Sequence, residues 1–140
     1  MIQEPRLVDL FLNLCRFNAP PLDEREVIDW TRAYLEGLGL EVREDDAGRK
    51  IGGNAGNLIV RLPATVPNAP RMFLSAHFDT VEPTAGLVVE ECGGVFYSAS
   101  DTILGADDKG GMAPGQLATM EPRRFASSRV FCNGHFSKLP

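Results

Sequence analysis

The run Met72-Phe73-Leu74-Ser75-Ala76 constrains the fold more than any other segment of the chain. A short, continuous apolar run of this kind reads as a β-strand buried on both faces. Two helical segments precede it. Over residues 4–17, Leu7, Leu10, Phe11 and Leu14 fall at helical spacing, with Val8, Leu12 and Cys15 beside them, which predicts a helix with a broad apolar face. Asn18-Ala19-Pro20-Pro21 breaks it. A second helix is announced by Asp23 and Glu26, spaced as a capping box, with Leu22 and Val27 placed as a hydrophobic staple. Val27, Tyr34 and Leu38 give its apolar stripe, flanked by Ile28 and Leu35, and Gly39 supplies a left-handed stop.

The period then changes. Residues 40–43 alternate like a short strand, 45–56 are polar and Gly-rich like a loop, and 57–62 again read as a strand. Segments 87–90 and 95–97 flank Gly93-Gly94, which predicts a hairpin. Helices followed by strands of this type indicate an α/β architecture. From Lys109 a helix would be natural, yet Gly110, Gly111, Pro114 and Gly115 fall within six residues. Proline in a helix interior costs about 3 kcal/mol and glycine about 1 kcal/mol. No period holds after Gln116, and basic residues concentrate beyond it. The expected division is therefore a domain over 1–113 and an aberrant, disordered or non-native tail over 114–140.

Composition narrows the partners. With 44% hydrophobic residues the 140-residue chain can form a real core, and its net charge of −5 with no basic cluster argues against nucleic acid and anionic membrane surfaces. The apolar runs are too short to span a bilayer. Residues 1–5 carry no charged-then-apolar signal pattern. Cys15, Cys92 and Cys132 are odd in number and scattered, which reads as reduced thiols and makes the cytoplasm the expected location.

Two constellations can carry chemistry. His77-Phe78-Asp79 comes directly after the run 72–76, and in open α/β sheets ligands bind beyond the carboxyl ends of strands. Imidazole is a common zinc ligand, and Asp79 can accept the other ring N–H of His77 and so fix its tautomer. A His-Asp pair that merely caps the strand end is the plainer alternative. The second constellation is Gly105-Ala106-Asp107-Asp108-Lys109-Gly110-Gly111. A carboxylate in such a turn can bridge two divalent cations; a solvated acidic turn is the alternative. The two lie 30 residues apart, each expected to close a strand.

At these residues the sequence resembles the dizinc exopeptidases and deacylases that include peptidase T, glutamate carboxypeptidase and acetylornithine deacetylase. The segments that carry the resemblance are residues 75–83 and 102–111, whose wording is closest to the peptidase T-like branch. Residues 56–60 and 38–42 also fit, and the likeness extends over about residues 4–113. It implies the N-terminal half of a zinc-exopeptidase catalytic domain, with two helices followed by mixed sheet strands and a hairpin, truncated near Ala113. It further implies that His77 is a ligand of one zinc and that Asp79 is the catalytic aspartate orienting it. Asp107 is implied to bridge two zincs and to be joined to Asp108 by a cis peptide. A small peptide is the implied substrate.

The departure from the family is equally specific. The family continues with a Glu-Glu pair, one general base and one ligand, then a further acidic ligand and a distant histidine. Here Glu121 is the one glutamate after Asp107, Glu90-Glu91 precede it, and His135 comes far too soon. Cys132 with His135 is a weaker replacement pair. The expectations are thus a tripeptidase-like metallopeptidase by descent, weak zinc binding through His77 and Asp107, and no peptidase activity of the isolated chain for want of a base. A frameshift near Ala113 would explain the tail, and the other reading frames test it. The alternative is a non-catalytic binding module, able to associate with itself or aggregate through an exposed sheet edge.

Overall fold

The computed structural model describes residues 4–63, 67–68, 72–120 and 128–132, with main chain alone at 72, 116–120 and 128–132. The elements are α1 (Glu4–Cys15), α2 (Arg25–Gly37), β1 (Val42–Glu44), α3 (Ala47–Ile51), β2 (Leu58–Leu62), β3 (Met72–Ala76), β4 (Val89–Cys92), β5 (Val95–Ser98), α4 (Ala106–Met120) and β6 (Ser128–Cys132). This is the mixed α/β fold expected. β1, β2, β6 and β3 form one sheet in that order; β6 pairs antiparallel with β2 and parallel with β3. β4 and β5 form the separate hairpin, turning through Gly93 (φ 59°) and Gly94 (φ 83°), a backbone that favours glycine.

The helices share one core with one face of the sheet. Leu10 and Leu14 of α1, Val27, Ile28 and Leu35 of α2, and Met112 and Ala113 of α4 are buried with Leu58 and Val60 of β2. Leu74 and Ala76 of β3 pack against that cluster, whereas Phe73 is 50% exposed and Ser75 and Arg61 are open to solvent. β3 is therefore buried on one face and not on both. An apolar run alone does not reveal this, because the second face depends on which elements are present to cover it.

Two further expectations are corrected, and two elements extend past Ala113. Asp23 does not cap α2: its carboxylate accepts from Asn54 Nδ2 (2.5 Å), and Asn54 Oδ1 accepts from the Arg25 amide (3.1 Å). A loop residue distant in sequence supplies the cap. The segment 45–56 holds the short helix α3, whose start is organised by Asp45 Oδ1 accepting from Ala47 N–H at 3.0 Å. Ala113 is not an element boundary, since α4 runs through Gly110, Gly111, Pro114 and Gly115 to Met120. Burial of Met112 and Ala113 against α1 outweighs the poor helix propensity there. Ser128–Cys132, within the segment 114–140, lies between β2 and β3 in the sheet. Residues 121–127 and 133–140, including Glu121 and His135, lie outside the described residues.

Candidate metal centre

The turn after β3 alternates in direction. Phe78 is fully buried and plugs the core, while His77 and Asp79 keep 36% and 16% of their side-chain surface. The buried ring fixes the turn, so its two polar neighbours face the opposite way. His77 Nδ1 lies 3.0 Å from the main-chain oxygen of Asp79 and 3.2 Å from Asp79 Oδ1. The carboxylate oxygen is buried and accepts no hydrogen bond of good geometry, so the ring N–H is directed to the main-chain oxygen. Donation from Nδ1 leaves the lone pair on Nε2, the nitrogen available to a metal.

Asp107 enters from the other side. It does not close a strand, as expected, because residues 102–105 are irregular; it stands at the head of α4. Asp107 (φ −90°, ψ 110°) and Asp108 (φ −114°, ψ 28°) depart from helical backbone, and the peptide between them is cis. The preceding Gly105 has φ 68°, and a Cβ there would lie 3.0 Å from Thr80 Cγ2, so both conformation and space call for glycine. Asp107 Oδ1 lies 3.3 Å from His77 Nε2, and its side chain is 90% exposed.

That spacing suits a shared cation. Zinc bonds of about 2.0–2.1 Å to nitrogen and about 2.0–2.2 Å to oxygen at a tetrahedral angle put the two ligand atoms about 3.4 Å apart. Without a proton or cation between them, the Nε2 lone pair and the carboxylate oxygen would repel. Among the described residues no three His, Cys, Asp or Glu side chains converge on one position, so this corner offers two candidate ligands. Glu90 and Glu91 are engaged in the hairpin, Glu90 by Tyr97 O–H (2.8 Å) and Glu91 by Gly94 N–H (2.6 Å).

The sequence assigns no chemical role to the residues behind the centre. Lys109 is fully buried, and its amine donates to the Phe17 carbonyl at 2.8 Å. Burial holds its pKa below the ordinary lysine value, opposed in part by Cys15. Cys15 is raised in turn by its own burial, with Lys109 opposing. Thr80 and Thr84 are buried in the turn between the two constellations. A buried lysine inside an acidic, Gly-rich segment reads as a surface residue until the fold closes over it.

The fold has counterparts among known proteins. No family model matches the chain. An uncharacterized protein of Bacillus subtilis strain 168, YqjE, is 37% identical over 115 residues, which span 81% of this chain and 30% of that protein. The crystal structure of aminopeptidase PepT from Bacillus cereus ATCC 10987 superposes with a TM-score of 0.85 at 32% identity, covering 94% of this chain and 36% of that one. A Staphylococcus aureus Mu50 tripeptidase gives 0.85 at 29% identity over the same shares. Aminoacylhistidine dipeptidase from Vibrio alginolyticus, at 20% identity and a TM-score of 0.76, shares the fold. The chain spans about a third of the length of these relatives. Over the part of the fold it spans, the chain is similar to the N-terminal third of PepT-type peptidases.

Proposed function

We propose that this chain carries part of a dizinc peptide-hydrolysing centre of tripeptide-aminopeptidase type and does not itself turn over peptides. The observation that carries the reading is the approach of His77 Nε2 to Asp107 Oδ1 at 3.3 Å, with the far ring nitrogen already committed to Asp79. His77 and Asp107 would hold the metal, and Asp79 would keep the His77 ring in the ligating tautomer. Bound zinc acts as a Lewis acid toward a carbonyl and lowers the pKa of water. The chain's own residues contribute positioning to that chemistry. The family that the sequence resembles takes its base from a Glu-Glu pair beyond the bridging aspartate, and no such pair follows Asp107 in this sequence, which supports inactivity of the isolated chain.

Two ligands instead of the four of a closed site imply weak binding. Zinc titration of the chain, with Asp107→Ala and His77→Ala alongside, tests the ligand assignment; binding that survives both substitutions overturns it. Tripeptide hydrolysis that is lost both with a chelator and in Asp107→Ala would overturn the proposed inactivity.

A second reading is a non-catalytic interaction module, with Phe73 of β3 keeping half of its surface exposed. Size-exclusion chromatography over a range of concentrations distinguishes a monomer from self-association. The free thiols of Cys15 and Cys92 support a reducing location such as the cytoplasm. Among the described residues no helix is long and apolar enough to cross a membrane.

A further inference from the structure

The two halves of the centre come from segments 30 residues apart, and a third segment touches both. The loop that joins α1 to α2 accepts four hydrogen bonds from them. The Thr80 amide donates to Ala19 O (3.0 Å), the Thr84 amide to Asn18 Oδ1 (2.7 Å), Thr84 Oγ1 to Phe17 O (3.2 Å) and Lys109 Nζ to the same Phe17 O (2.8 Å). Thr80 and Thr84 lie just beyond His77 and Asp79, and Lys109 just beyond Asp107. Gly105 is wedged among them: a Cβ there would lie 3.0 Å from Thr80 Cγ2, 3.2 Å from Thr84 Cγ2 and 3.6 Å from Lys109 Nζ.

The choice of lysine is otherwise hard to account for. A lysine is almost never fully buried without a partner, because removing its charge from water is costly. An apolar residue of similar volume would fill the space at lower cost, but it could not reach a carbonyl on another segment. Asn18 is the converse case, an exposed side chain whose oxygen holds a buried amide. Neither residue contacts His77 or Asp107 in a described hydrogen bond, so their influence on the centre passes through the loop.

We propose that Lys109 and Asn18 are positioning residues: through the loop Phe17–Ala19 they clamp the His77–Asp79 turn and the head of α4 at the separation a shared metal requires. The inference rests on the reading of His77 and Asp107 as ligands. In this scheme Phe17 O anchors Lys109 and the Thr84 hydroxyl, Asn18 Oδ1 anchors the Thr84 amide, and loss of either the Lys109 donor or the Asn18 acceptor lets the two ligands drift independently.

The test uses the full chain, zinc competition titrations and the visible spectrum of the cobalt(II)-loaded protein. Substitution of groups that orient metal ligands commonly costs about 10–100-fold in affinity. Lys109→Met, which keeps the aliphatic stem, is expected to weaken zinc binding about tenfold and to alter the cobalt(II) bands. Asn18→Ala, a surface change that leaves the core intact, is expected to weaken binding several-fold, and Asn18→Asp, which retains the acceptor, to restore it. Val27→Ala serves as the control, since it removes buried volume between the helices and is expected to lower stability with affinity and spectrum unchanged. Unaltered affinity and spectrum in Asn18→Ala, or in a folded Lys109→Met, overturns the clamp alone. Absence of any zinc binding by the unsubstituted chain overturns the ligand reading and the clamp with it.

Discussion

The molecule has two polar corners with opposite character. At the β1–α3 corner, Glu44 accepts from Arg25 (2.8 and 3.2 Å), from Arg32 and from the Gly56 amide (2.8 Å). Its neighbour Asp45 accepts from the amides of Ala47 (3.0 Å) and Asn57 (2.8 Å) and from Asn57 Nδ2 (2.6 Å). Each carboxylate there is occupied by the protein itself. At the β3–α4 corner, Asp107 is 90% exposed and faces a ring nitrogen that carries a lone pair, and Asp79 Oδ1 is buried without a good donor. The first corner closes on itself and ties α2 to the sheet. The second leaves aligned acceptors for something that is not protein. Counting charged residues does not separate the two; counting satisfied acceptors does.

Substitutions at the closed corner should therefore register in stability and those at the open corner in metal binding. The largest loss is expected from Gly56→Ala, whose Cβ would lie 2.0 Å from the main-chain oxygen of Asp45. Backbone must move to admit it, at about 3 kcal/mol, read as a lower urea midpoint. Glu44→Ala comes next at about 2 kcal/mol, because it strands two arginines that keep 33% and 32% of their surface and can be partly rescued by water. A Gly56→Ala chain as stable as its parent would mean that the corner does not hold the fold as described.

Acid should act on the same corner more mildly. The Arg25 hydrogen bond, aided by the Gly56 amide and opposed by burial, holds Glu44 below its ordinary pKa of 4.5. A depressed carboxylate contributes stability above its unfolded value and loses it as pH falls through the folded value. The urea midpoint is thus expected to fall as pH drops below 4.5, and Glu44→Gln should flatten that fall. An identical acid profile in the variant removes Glu44 from the explanation. The smallest effect on stability is expected at the open corner. Asp107→Ala should leave the urea midpoint unchanged while abolishing zinc binding, since its carboxylate is 90% exposed and His77 is its one ion-pair partner among the described residues. Destabilisation there would make Asp107 a strut like Glu44 and weaken the contrast.

Most secondary structure was legible because it is local. The periodicity of residues 4–15 and 25–37, the left-handed Gly39 and the Gly93-Gly94 turn depend on neighbouring residues only. His77, Asp79 and Asp107 could be named as candidates because ligand chemistry restricts which side chains can serve. What failed was non-local. The cap of α2 comes from Asn54, and α4 persists past Ala113 because its apolar residues meet α1. β3 has one exposed face because burial belongs to the assembly and not to the strand.

By itself, then, the sequence determined which residues are candidates for binding a metal and where most helices and strands form, since side-chain chemistry and backbone preference are properties of short segments. Only the tertiary structure decided that His77 and Asp107 lie 3.3 Å apart, that Lys109 is sealed in the interior, and that Ser128–Cys132 joins β2 to β3. Those outcomes arise from burial and hydrogen bonding between segments tens of residues apart, whose free energy exists only once the chain has closed on itself.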